Sequence, residues 1–313
     1  MQHTINQAIE ITGIGLHSGR TVRLVLRPAA ADEGIRFVRT DIQGKNNVIP
    51  ALWNYVVDTQ LCTVIGNADD VRVGTIEHLM AALRGCGVDN VIAEIDGHEV
   101  PVMDGSSMPF VKAIDAVGLA PLGVPRRAIK VLKEVSVEQD GKRVTLAPSD
   151  ESSFSGEIEF KHAGIGIQRY ETTLLNGNFR HDIAEARTFG FLHEVEWMRK
   201  NGLALGGSLD NAIVLNEQGV MNPGGLRFAD EFIRHKILDA IGDLFLAGGA
   251  IIGAYDGTKG GHALNNAILH ALFTTPGAWA MVDVLDADSA LPIAPIASHH
   301  ADLKTGAKTP VYA

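Results

Sequence analysis

Three ionisable side chains recur at a spacing of four in His235-Lys236-Ile237-Leu238-Asp239-Ala240-Ile241-Gly242-Asp243. On an α-helix, residues four apart lie one turn above each other on the same side. The column therefore sets a histidine and two aspartates into an otherwise apolar helix. Charged side chains occupy such positions when they are paired or bind something. Any fold that accepts this chain must bury that helix and supply the partners. A His and an Asp one turn apart can reach the same metal ion, and imidazole nitrogen and carboxylate oxygen both suit zinc. The same pair also describes a buried helix whose His and Asp simply bond each other. Asp243 exceeds what one intrahelical pair needs.

Punctuation along the chain organises the rest. Thr21–Leu26 and Gly34–Val38 read as strands between Gly- and Pro-containing breaks. Thr75–Arg84 reads as a helix capped by Thr75 and ended by Gly85 and Gly87, followed by a strand at Val91–Ile95 and an Asp96-Gly97 turn. The order repeats downstream. Asp230 can cap a helix running to about Phe245, Gly248-Gly249 ends it, and Ala250–Tyr255 is a strand closed by Asp256-Gly257. This double occurrence suggests two related α+β halves, although helix, glycine and strand are also common punctuation. Leu122–Arg127 reads as the linker, Lys130–Val137 as a strand, and Arg143–Leu146 as its hairpin partner across Asp140-Gly141. Ser298–Ala313 is polar and aperiodic, and its end is expected to be disordered; His299-His300 there reads as part of a solvated tail.

Further residues carry chemistry. Glu77-His78 interrupts the apolar flanks Ile76 and Leu79-Met80. Helix neighbours point about 100° apart, so with His78 on a metal, Glu77 reaches a water held there as a general base. A surface Glu beside a satisfied His is the plain alternative. His262 follows two glycines and precedes a helix expected to open at Asn265. It can serve as a general acid oriented by Asp243, or be an ordinary loop histidine. His78, His235 and Asp239 then make three protein ligands with the fourth position left to water, the pattern of catalytic rather than structural zinc. Hydrolysis of an amide or ester is the reaction class this suits. Thr188, between Arg187 and the aromatic pair Phe189 and Phe191, can donate to a developing oxyanion, or close a buried strand. Lys236 can meet a substrate phosphate, or be solvated. Gly202–Ser208, which includes Gly207, suits a close-packed turn or the wall of a lipid-sized slot.

Composition excludes several classes. A net charge of −10 disfavours general binding to nucleic acid or anionic membranes. Two cysteines make no disulfide framework. The N-terminus lacks a basic start followed by an apolar core, and no apolar run spans a bilayer. A cytoplasmic protein without stable membrane insertion is expected.

With these pieces in view, the chain resembles the UDP-3-O-acyl-N-acetylglucosamine deacetylase family along nearly its whole length. The matching stretches are Gly13–Gly19 (GIGLHSG), Thr75–Leu79 (TIEHL), Val100–Ser106 (VPVMDGS), Ala186–Phe191 (ARTFGF), Leu205–Ser208 (LGGS), His235–Asp243 (HKILDAIGD) and Gly261–Asn266 (GHALNN). The resemblance implies one Zn²⁺ per chain on His78, His235 and Asp239, Glu77 as general base, and His262 as general acid with Asp243 as its partner. It implies Thr188 at the oxyanion, and Lys236, Phe160, Phe189, Phe191 and Gly207 at the substrate. It implies an α+β fold of two similar layered helix–sheet domains, each with a small insert, and an active site between them. The domains fall at 1–122 and 127–297, with 298–313 as a flexible tail. Gly190–Ser208 is placed as the hydrophobic passage for the acyl chain, made bulkier here by Trp197 and Met198. The implied partner is an acylated UDP-sugar, met by a monomer and deacetylated in the committed step of lipid A synthesis. Two other readings stay open. A zinc peptidase is disfavoured by the absence of a His-Glu-x-x-His helix. A non-catalytic sugar-nucleotide or lipid binder would bind without releasing acetate.

Overall fold

The computed structural model describes residues 1–284, so the tail at 298–313, with His299-His300, and the end of the second expected domain lie outside the described residues. Among the described residues the chain is a mixture of sheets and six α-helices, in agreement with the α+β class. Residues 9–95 build a five-stranded sheet in the order Ile9–Ile14, Thr21–Pro28, Val91–Ile95, Ile35–Arg39, Val48–Pro50. Val91–Ile95 pairs antiparallel to Thr21–Pro28 and parallel to Ile35–Arg39. A small three-stranded sheet, Val56–Asp58, Val64–Gly66 and Arg72–Val73, is inserted before helix α1 (Glu77–Cys86). Helix α2 (Met108–Val117) follows.

Residues 126–284 build a second, seven-stranded sheet around Ala250–Thr258. That strand runs antiparallel to Lys142–Ala147 and parallel to Ser152–Glu157, and its first three residues pair with Ala128–Lys130. The one-turn α3 (Phe179–Asp182) and α4 (Leu192–Lys200) flank a second small sheet of Phe189–Phe191, Ile213–Asn216 and Gly219–Val220. Helices α5 (Glu231–Leu244) and α6 (His262–Thr274) complete the chain. One continuous apolar cluster runs from Ile5 to Ala278 and includes side chains of both sheets.

The two occurrences of helix, glycine and strand have real counterparts. Gly87 after α1 and Gly248 after the short 3₁₀ turn that extends α5 both adopt left-handed conformations, φ +77 and +86. Only glycine takes that geometry without Cβ strain. Each glycine hands the chain to an interior strand of its own sheet, Val91–Ile95 or Ala250–Thr258.

Several boundaries differ from expectation. Thr75 does not cap α1: it has φ +54, Ile76 takes the cap position, and the Thr75 hydroxyl donates to Glu99 at 3.1 Å. Gly85 lies inside α1, not after it. Asp230 sits at the start of α5 but its carboxylate accepts from Arg234 at 2.6 Å instead of capping. The strand after α5 continues through Asp256-Gly257 to Thr258, because a partner strand flanks it along both edges there. Helix α6 opens at His262, three residues early. The Lys130–Val137 strand is two strands, Arg126–Val131 and Val135–Gln139, and the second forms the expected hairpin with Lys142–Ala147. The linker therefore ends before Arg126, whose guanidinium pairs with Asp89 and donates to the Gly87 carbonyl at 2.8 Å.

Close packing around α1 is demanding. A Cβ on Gly85 would collide with the ring of buried Phe179. Gly85→Ala is therefore expected to cost about 1–3 kcal/mol by overpacking, read as a lower urea midpoint, with metal content unchanged.

Candidate metal centre and acid–base site

Helices α1 and α5 cross where Gly242 meets the backbone carbonyl of Glu77, and a Cβ at Gly242 would overlap that oxygen. The missing side chain lets the two helices close far enough to merge their polar faces. α1 contributes Glu77 and His78; α5 contributes His235, Lys236, Asp239 and Asp243. All of these except Lys236 are buried.

His78, His235 and Asp239 each turn one ligand atom into a common point, all within 4.8 Å of one another. Asp239 Oδ1 stands 3.3 Å from His235 Nε2 and 3.7 Å from His78 Nε2, and it has no hydrogen-bond partner. A buried carboxylate oxygen left unpaired between two imidazoles is costly unless a cation completes it. Burial lowers the pKa of His78 to about 3, helped by His235, and burial likewise lowers that of His235. Both rings are thus neutral at pH 7, the form that ligates a metal. The Ala186 carbonyl lies 3.0 Å from His235 Nδ1, where it accepts that N–H and leaves Nε2 bare. Burial opposes ionisation of Asp239, but His235 and Lys236 beside it hold the carboxyl well below the usual range. The residues fit a divalent cation.

Lys236 donates to Asp239 Oδ2 at 2.6 Å. The expected phosphate ligand is therefore already engaged, at the oxygen turned away from the metal point, while still lining the cavity.

The acid–base groups stand around this cluster. Asp243, the third member of the column, is not part of the ligand triad. Its Oδ2 lies 2.8 Å from His262 Nδ1 and accepts from Asn265 Nδ2 at 2.9 Å. Burial alone would lower the His262 pKa, but the Asp243 charge and hydrogen bond, with Glu77 and Asp239, raise it to about 9. Burial raises Glu77 to about 7; His262 opposes this, while Asp243 and Asp239 add to it. Thr63, which sequence reasoning missed, touches both sides. Its backbone N–H donates to Glu77 Oε2 at 3.1 Å, and its hydroxyl donates to Asp243 Oδ1 at 2.6 Å.

A cavity of about 530 Å³ opens over these groups. Its lining includes Glu77, His78, His235, Asp239 and His262, with Thr188, Phe160, Phe189 and Phe191 on one side. Thr188 is fixed by its backbone N–H to Gly105 (2.8 Å) and its carbonyl to Ile213 (2.8 Å). Gly105 has φ +85, and a Cβ there would collide with the Asn211 carbonyl, so the Val100–Ser106 motif works as a close backbone contact. Gly207 does not line the cavity; it stands behind Leu16, which does. Trp197 is 60% exposed on α4, and neither it nor Met198 narrows the cavity, because the only α4 side chain reaching the lining is Glu194.

Known proteins share the sequence of this chain along nearly its whole length. A profile of the LpxC family, UDP-3-O-acyl N-acetylglycosamine deacetylase, matches residues 2–274. A protein of Phenylobacterium zucineum is 49% identical over 278 residues, covering 89% of this chain and 95% of its own length. One of Idiomarina loihiensis is 45% identical, with 94% and 96% covered, and one of Neisseria meningitidis serogroup A is 44% identical, with 97% and 99% covered. All three are named UDP-3-O-acyl-N-acetylglucosamine deacetylase.

Gly242→Ala must push α5 off α1 at the level of Glu77. It is expected to lower stability by about 1–3 kcal/mol and, unlike Gly85→Ala, to weaken metal retention. Metal content after dialysis against a graded chelator reads this out; wild-type retention would show that the crossing does not set the ligand spacing.

Proposed function

We propose a function from one premise: this chain belongs to the UDP-3-O-acyl-N-acetylglucosamine deacetylase family. It is an enzyme that hydrolyses the N-acetyl group of an acylated UDP-N-acetylglucosamine, releasing acetate and the free amine, in lipid A biosynthesis. The observation that carries this reading is the three-ligand cluster with Glu77 and the His262–Asp243 pair gathered beside it.

The two-nitrogen, one-oxygen donor set suits zinc. Zinc held by His78, His235 and Asp239 would supply Lewis acidity toward the attacking water and the amide carbonyl. Glu77 takes the proton of the water as its oxygen bonds to the carbonyl carbon. Thr188 donates its hydroxyl to the carbonyl oxygen as charge gathers there. His262 gives its proton to the leaving nitrogen as the C–N bond breaks, and Asp243 holds the imidazolium. Phe160, Phe189 and Phe191 form the apolar wall against which substrate rests, and Lys236 faces its polar end. Two layered units, residues 1–122 and 127 onward, would then meet at this site; the matching glycine-to-strand turns at Gly87 and Gly248 support that division. Two free, buried cysteines fit a cytoplasmic enzyme, and no described helix is long and apolar enough to cross a membrane.

Acetate release from the acylated UDP-sugar tests the reading. Activity is expected to vanish with a chelator and return with zinc. Glu77→Gln and His262→Ala should keep metal yet lose about 10²–10⁴-fold in kcat. Binding without acetate release would favour the non-catalytic reading, and peptide cleavage the peptidase.

The pH profile gives a further check. His262 acts while protonated, so kcat should fall as pH rises through about 9. Removing the Asp243 charge destabilises the imidazolium, so Asp243→Asn should move this alkaline limb to lower pH. An unmoved limb would assign it to another group.

A further inference from the structure

Proton transfer needs Glu77, on α1, and Asp243, on α5, held in fixed register with His262, on α6. Asp243 Oδ2 already accepts from His262 and Asn265, and both bonds pull on one oxygen. A carboxylate held through a single oxygen can still turn about its Cβ–Cγ bond, and the imidazole would turn with it. Thr63 supplies the hydrogen bond to the second oxygen, at 2.6 Å, and its Oγ1 is 3.3 Å from His262 Nδ1. Its own N–H holds Glu77 Oε2.

Thr63 is 1% exposed and anchored from both directions. It precedes the strand Val64–Gly66, and its carbonyl accepts from Ile76 at the entry to α1. The residues just before it, Gln60, Leu61 and Cys62, line the cavity. The cavity wall and the acid–base groups are therefore joined through one residue.

We propose that Thr63 is a positioning residue: its hydroxyl fixes the plane of the Asp243 carboxylate, and so the aim of His262, while its N–H holds Glu77. The proposal rests on the acid–base roles given above for Glu77, Asp243 and His262. No bond is made or broken by Thr63, and it need not touch substrate.

The test uses the metal-loaded enzyme with the acylated UDP-sugar. Thr63→Val keeps the shape and the backbone N–H but removes the hydroxyl. Loss of a hydrogen bond to a buried carboxylate predicts a fall in kcat of about 10–100-fold, with KM within about 3-fold and metal content unchanged. Thr63→Ser restores the donor and should recover kcat to within about 3-fold of wild type. In an Asp243→Ala background, Thr63→Val should add less than about 3-fold, because groups that act as a unit are not additive. Should Thr63→Val not fold, Thr63→Ala takes its place in the same comparisons. Wild-type kcat in the hydroxyl-less variant, a Thr63→Ser enzyme as slow as Thr63→Val, or losses that multiply with Asp243→Ala would each overturn the role of Thr63 alone. Full turnover by Asp243→Ala on its own would instead overturn the acid–base reading beneath it.

Discussion

The crossing of α1 and α5 at Gly242 is the constraint on which the site depends. Glycine inside a helix costs about 1 kcal/mol relative to alanine. Here it lets the Glu77 carbonyl sit where a side chain would otherwise begin. Because a ligand cluster needs His78 from one helix beside His235 and Asp239 from the other, the spacing of the donor atoms is the spacing of the two backbones. The same contact brings Glu77 to the level of Asp243, one residue from the glycine. Metal ligation and proton transfer thus share a single packing event, and neither can be loosened without the other.

Burial acts on the gathered groups in opposite directions, and neighbours decide the outcome. Desolvation keeps His78 and His235 neutral, as ligands require, because the Asp239 carboxylate beside them offsets it only in part. His262 is also largely enclosed, yet Asp243 reverses the effect and keeps it protonated to about pH 9. Burial raises Glu77 to about 7, against His262 and with Asp243 and Asp239, near the pH at which a base and its conjugate acid interchange readily. His78, His235 and His262 with Glu77, Asp239 and Asp243 are sorted into ligands, base, acid and partner by what stands beside each.

Much of this was legible in the chain, and the physical reason is local periodicity. The four-residue spacing of His235, Asp239 and Asp243 is a property of one helix, so their shared face could be read directly. Gly87 and Gly248 were legible because left-handed helix ends call for glycine. Thr63 was not, since its hydroxyl reaches Asp243 across 180 residues of sequence and nothing around it is periodic. Gly242 carried a signal that spacing arguments pass over: a glycine amid strong helix formers, next to an aspartate, marks a close approach. The Thr75 cap failed because its backbone turns left-handed and its hydroxyl is taken by Glu99, a partner 24 residues away.

Glu99 extends the same logic to the cavity residues Leu16, His17 and Thr75. Its buried carboxylate accepts the backbone N–H groups of His17 (2.8 Å) and Ser18 (3.0 Å) as well as the Thr75 hydroxyl. This ties the Gly13–Gly19 turn to the residue pair leading into α1. The turn in turn accepts Leu205 and Gly206 through the carbonyls of His17 and Leu16, and a Cβ at Gly206 would strike the Gly15 carbonyl. Leu16, whose side chain lines the cavity, is therefore clamped between the first half of the chain and the segment after α4. The short glycine-bearing motifs spread along the sequence act as backbone-to-backbone contacts that hold the cavity walls at a set distance from the metal point. Their function is carried by the absence of side chains, so their chemistry shows only once the chain is folded.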